Sequence, residues 1–175
     1  MEVESGEIGP LETAVALRAL HRALDDYTGS LPALDDRLDQ AHALVSGVEP
    51  IPALPSDQRR FLSDAFGLLR ERVEESRAPA RILHGGAHDG NLLRTRDGLR
   101  WIDLDTVCRG RLEWDIAHLD EGAAAVFPEA QAELVATMRL LVSAEVAIWC
   151  FAQYGRAPEV DEAAHFHLAR LRDEL

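Results

Sequence analysis

The chain has 175 residues, enough for one domain with its own core, and a formal net charge of −13. That acidity excludes a nucleic-acid partner, whose phosphates need a basic patch. It suits a cationic small molecule, although excess acid also simply keeps a protein soluble. All 18 basic residues are arginine, so the chain cannot complete a Walker P-loop, which needs a lysine at the phosphates. No uninterrupted apolar run approaches the roughly 20 residues that span a bilayer, so no membrane partner is expected. The acidic start, Met1 to Ser5, is unlike a signal peptide. Cys108 and Cys150 form no disulfide or metal-finger pattern, and a reducing cytoplasm is the expected location.

The whole of 1–175 reads as a single domain, with 1–10 as a disordered or extended start. Gly9-Pro10 then opens a helix in which Leu11, Val15, Leu17, Leu20 and Leu24 recur near every 3.6 residues. A shorter helix runs from Ser30 or Pro32 to Leu44, striped by Leu34, Leu38 and Leu44. Gly47, Pro50, Pro52 and Pro55 mark an irregular connection. Ser56 is the expected N-cap of a helix over 57–76. Arg81-Ile82-Leu83 reads as a strand before a glycine-rich loop. Asn91–Arg94 and Leu99–Ile102 flank Asp97-Gly98, a good hairpin signal. Residues 103–112 read as a loop, and helices are expected over 113–125, 128–154 and 159–172. Pro128 suits a first turn, and Gly155 suits a helix end.

Chemistry concentrates in 83–119. A polar loop, His84-Gly85-Gly86-Ala87-His88-Asp89-Gly90-Asn91, lies between two strands. Trp101-Ile102-Asp103-Leu104-Asp105 is an apolar strand ending in two carboxylates two residues apart, so both can face one side. The hairpin brings Asn91 beside Asp103. Such oxygen ligands suit Mg²⁺, which takes one or two carboxylates plus substrate phosphates. Gly110-Arg111-Leu112-Glu113-Trp114-Asp115-Ile116-Ala117 then leads from a loop into a helix.

The stretch resembles the aminoglycoside phosphotransferase and choline kinase-like group, which shares the protein-kinase-like fold. Its pattern H-G-D-x-H-x-x-N, then I-D-F-[DE], then G-x-x-x-W-D-[IL]-A, is met at His84, Gly85, His88, Asn91, Ile102, Asp103, Asp105, Gly110, Trp114, Asp115 and Ala117. The implied fold is α+β and mainly α: the helical C-lobe of a phosphotransferase, with a short β-hairpin carrying the catalytic and metal loops. The resemblance implies Mg²⁺ and ATP or GTP as cofactors. Asn91 and Asp103 would hold both, with Asp105 as a further metal contact. His84 and His88 would support the loop, and Asp115 would be a buried buttress.

Two departures bear on activity. The catalytic aspartate of the pattern falls on Gly86, so no catalytic residue is intact. Asp89, three residues on, is a remote substitute. The N-lobe and its phosphate-binding lysine are expected to be absent, since only ten residues precede Leu11. The expected function is an ATP- or GTP-dependent phosphotransferase acting on a hydroxyl of an aminoglycoside or amino alcohol, inactive or severely impaired. The alternative is a non-catalytic binding module on a decayed kinase lobe, as a homo-oligomer or with a partner covering the surface left by the N-lobe. A third reading is a hydrolase with a transition metal on His84, His88 and Asp103.

Overall fold

In the computed structural model, which describes Glu4 and residues 6–175, four strands and six α-helices follow one another as α1 (Pro10–Leu24), α2 (Leu34–Ser46), α3 (Ser56–Glu74), β1 (Ala80–Leu83), β2 (Leu92–Thr95), β3 (Gly98–Trp101), β4 (Cys108–Arg111), α4 (Glu113–Ile116), α5 (Ala132–Ala152) and α6 (Pro158–Glu174). The expected disordered or extended start falls partly on residues 1–3 and 5, outside the described residues. Residues 6–9 have no regular structure, and Glu4 N–H donates to the Arg94 carbonyl. At the head of α1 the Glu12 carboxylate accepts Gly9 N–H at 3.1 Å. That bond, followed by Arg94, holds its carboxyl below the ordinary value.

The chain divides into two compact units, 1–34 with 78–135, and 35–77 with 136–175. In the first, β1 pairs antiparallel with β4 and β2 with β3, giving two separate two-stranded sheets. Ala14 and Leu17 of α1 pack with Leu112, Ile116, Leu119, Ala123 and Phe127 in its core. Full burial of a side chain such as Leu17 is worth about 1.5–3 kcal/mol. The second unit is helical. Leu62, Phe66 and Leu69 of α3, Leu141 and Ile148 of α5, and Leu168 and Leu171 of α6 are buried.

Several boundaries differ from the sequence reading. Pro55, not Ser56, is the residue before α3, and no side chain caps that helix. The segment expected as a loop contains β4, because Cys108–Arg111 pairs residue for residue with β1. The helix expected over 113–125 stops after Ile116 and resumes as a 3₁₀ segment, Glu121–Val126. Asp120 and Gly122 are weak helix formers at that break, and Leu119, Ala123 and Phe127 all lie in the core. Pro128 lies in a turn, and α5 begins at Ala132. By length and composition α5 could cross a membrane, a correction to the count of apolar runs. Most of its apolar window is buried inside the fold, and it carries the ion-paired Glu145.

Candidate functional site: a loop clamped beneath a hairpin end

Asp115 is fully buried and anchors the polar loop. Its Oδ2 accepts His84 N–H at 2.8 Å, and its Oδ1 accepts Gly85 N–H at 2.9 Å. A third contact comes from α1, where His21 Nε2 lies 2.7 Å from Oδ2. A carboxylate has acceptor sites for all three, which is how a charge survives burial. Next to it, Trp114 Nε1–H donates to the Gly85 carbonyl at 2.9 Å. Adjacent residues of α4 therefore hold the loop through both its donors and its acceptor.

His84 turns the clamp toward the hairpin. Its Nε2 lies 2.9 Å from the Ile102 carbonyl, and its Nδ1 lies 3.3 Å from Gly86 N–H. A carbonyl can only accept and an amide N–H can only donate, so the Nε2–H tautomer meets both demands. The ring sits 5.0 Å from that of Trp101. With both nitrogens engaged inside the fold, His84 has none left for a transition metal. Among the described residues no group of three or more His, Cys, Asp or Glu is placed to hold one. The hydrolase reading loses its ligand set.

Asn91 is buried at the end of a 3₁₀ turn, Asp89–Asn91. Its Nδ2 contacts the Gly86 carbonyl at 2.9 Å and His88 Nε2 at 3.1 Å. The amide hydrogens are thus used within the loop, and Oδ1 has no hydrogen bond among the described residues. The Asn91 carbonyl accepts Ile102 N–H at 2.9 Å, extending the hairpin ladder by one pair. Asp103 follows directly. It is the one non-glycine residue with positive φ among the described residues, at φ 58° and ψ 54°. Left-handed backbone at an aspartate is tolerated but costs energy, and such strain concentrates at functional sites. Asp103 and Asp105 are both exposed, and neither carboxylate is taken up by another side chain among the described residues.

The sequence-identified residues therefore fall into two sets. His84, Gly86, His88 and Asn91 share one bonded loop resting on Asp115, while Asp103 and Asp105 stand exposed just past the hairpin. Asp89 is drawn elsewhere: its Oδ1 accepts Gly90 N–H, and it lines a separate cavity with His118 and Asp120. Sequence reading missed His21, since 94 residues separate it from Asp115 and it falls within an ordinary helical stripe. It also missed Thr106, whose hydroxyl donates to the His84 carbonyl at 2.9 Å.

No protein-family model matches the sequence, and no curated protein matches it. Solved structures do. The choline kinase LicA from Streptococcus pneumoniae superposes with a TM-score of 0.69 at 15% identity, over 91% of this chain and 60% of that one. The choline/ethanolamine kinase family protein from Mesorhizobium loti gives 0.70 at 16% identity, over 94% and 62%. The amicoumacin kinase hAmiN, solved with AMP-PNP, Ca²⁺ and Ami, gives 0.62 at 13% identity, over 94% and 57%. The chain has the kinase-like fold of these proteins, mainly helical and matching a C-terminal lobe, and spans about 60% of their length.

Proposed function

We propose that this chain is the metal- and acceptor-side lobe of a small-molecule phosphotransferase, with catalysis severely impaired at Gly86. The observation that carries the reading is the bonded unit Asp115–His84–Asn91 set beside Asp103. The donor set fits Mg²⁺: one uncommitted amide oxygen and two exposed carboxylates are hard oxygen ligands. Asn91 and Asp103 would hold the ion, with Asp105 as a further contact, and ATP or GTP would be its partner. Bound Mg²⁺ would neutralise charge on the transferring phosphoryl group. The chain's own residues fix the loop, present Asn91 Oδ1 and keep the hairpin end in register.

Gly86 lacks the carboxylate that would receive the acceptor's proton. General-base help is worth about 10²–10⁴ in rate, so its loss cripples turnover and leaves binding intact. The backbone at Gly86 has room for a Cβ, which meets Thr106 Oγ1 at 3.5 Å and Asn91 Nδ2 at 3.7 Å. The acceptor would be a cationic or hydroxylated small molecule met in the cytoplasm, an amino alcohol or aminoglycoside.

The test is Mg²⁺-dependent binding of ATP and GTP by calorimetry. Weak, Mg²⁺-dependent binding is expected, and Asp103→Asn should abolish the Mg²⁺ dependence. Asparagine tolerates the left-handed backbone, so this variant removes charge without removing the turn. Binding indifferent to both Asn91→Leu and Asp103→Asn would overturn the reading.

A second reading rests on a different surface. A cavity of about 650 Å³ between α1 and the hairpin is lined by Val15, Leu20, Leu99, Trp101 and Leu104. Val15 is 54% and Leu104 53% exposed. An apolar face of this kind favours a covering protein partner or a second copy of the chain. Light scattering that finds only monomer, with nothing bound, would remove it.

A further inference from the structure

Behind the Asp115 clamp lies a second cavity of about 170 Å³, lined by Arg18, His21, Arg22, Asp25, Arg81, Leu112, Phe127 and Glu129. We propose that it binds a small phosphate-type oxyanion. At about 30 Å³ per water, the space holds a phosphoryl group with a few atoms to spare. Three guanidiniums face two carboxylates, which leaves a local excess of positive charge in a chain whose net charge is −13.

The existing pairings are exchangeable. Arg81 Nη1 reaches Asp25 at 3.4 Å and Arg18 Nη1 reaches Glu129 at 3.2 Å, all at partly exposed positions. Exposed pairs of this kind contribute about 0–1 kcal/mol. Arg22 has no hydrogen bond or ion pair among the described residues, and its planar fork matches a phosphate edge. Arg18 is held in place by the Val126 carbonyl and stacks 5.6 Å from the Phe127 ring, so part of the guanidinium set is preorganised.

His21 supplies the second, independent observation. It is 8% exposed, it lines the cavity, and its Nδ1 is buried without a hydrogen-bond partner. Its other nitrogen is the one that contacts Asp115. A ligand seated beside the ring would reach the unpartnered Nδ1 of a side chain whose other nitrogen contacts Asp115, which holds His84 and Gly85. Binding does not depend on the phosphotransferase reading; only the consequence for the loop does.

The experiment is calorimetric titration of the full chain with inorganic phosphate and, separately, with glycerol phosphate, against potassium chloride at matched ionic strength. The same titrations are followed by the His21 ring signals in NMR. Saturable one-site binding is expected, with His21 shifts following the same curve. Arg22→Ala should weaken it about tenfold, and because Arg22 is exposed and has no hydrogen bond or ion pair among the described residues, thermal unfolding should confirm that the variant is folded. Arg81→Gln should weaken it further. Binding of phosphate alone identifies a free-ion site, and binding of the ester identifies a phosphorylated metabolite. No saturable binding of either, or binding unchanged in both variants, overturns the proposal, whatever Asp103→Asn does to nucleotide binding.

Discussion

Gly85 adopts φ +85°, and a Cβ built there would come within 2.1 Å of the Thr106 carbonyl oxygen. Its neighbour Gly86 has ordinary backbone and only van der Waals contacts at 3.5 Å and beyond. One glycine is required by the architecture, and the other is not. Gly85→Ala should therefore destabilise the protein by at least about 2–3 kcal/mol, from backbone strain plus the clash, while Gly86→Ala should stay within about 1 kcal/mol of wild type. Urea denaturation of the two variants reads the difference, and equal losses would mean the loop relaxes freely. The contrast matters for function. An aspartate in place of Gly86 would be a change of chemistry at a site whose geometry already accommodates a Cβ. The sequence pattern flagged both glycines in one motif, but it contained nothing to separate their roles. That needed the approach of Thr106, 21 residues beyond Gly85, which no local pattern encodes.

The second unit shows what one helix pair requires. Arg37 on α2 donates to Glu145 on α5 through Nε at 2.5 Å and Nη2 at 2.7 Å. The Glu145 side chain is 2% exposed, so its charge is nearly out of water. Removing the arginine leaves a buried carboxylate uncompensated, an outcome that typically costs about 3–5 kcal/mol. Arg37 is partly solvated, so Arg37→Met should lower stability by about 2–4 kcal/mol, read as a fall in Tm. Glu145→Gln combined with Arg37→Met should recover part of the loss, since both charges leave together. A double variant no better than the single one would show that the methylene packing of Arg37, not the charge, was at stake. Elements of this kind were legible in the sequence where periodicity was strong. The stripe Leu11 to Leu24 gave α1, and Asp97-Gly98 located the hairpin, with Arg96 and Asp97 as its turn. Short elements set by partners were not. β4 exists because β1 offers it a ladder. The break after α4 coincides with the segment where Trp114 and Asp115 must meet the loop. The cause of β4, at least, lies outside the segment it shapes.

At the scale of the whole molecule, a net charge of −13 makes the folded state self-repelling near neutral pH. Acidification protonates carboxylates and relieves that repulsion, so one component of stability improves as pH falls. His167 on α6 acts in the opposite sense. Burial, followed by the Arg170 charge, pushes its pKa below the ordinary 6.5, and its Nδ1 is buried without a hydrogen-bond partner. Above about pH 6.5 the imidazole is neutral in both states and contributes nothing to the pH dependence. Below that value the unfolded chain takes up a proton that the folded chain resists, so stability drops until the folded-state pKa is passed, and then levels off. His167→Phe should remove this component, leaving a flatter or rising profile of Tm between pH 7 and 5, while Asp and Glu protonation proceeds as before. At pH 7.5 the same variant should gain about 1 kcal/mol, because an unpaired polar atom has left a buried position. A pH profile superimposable on wild type would mean that His167 titrates alike in both states, and that the acid limb of stability belongs to the carboxylates alone.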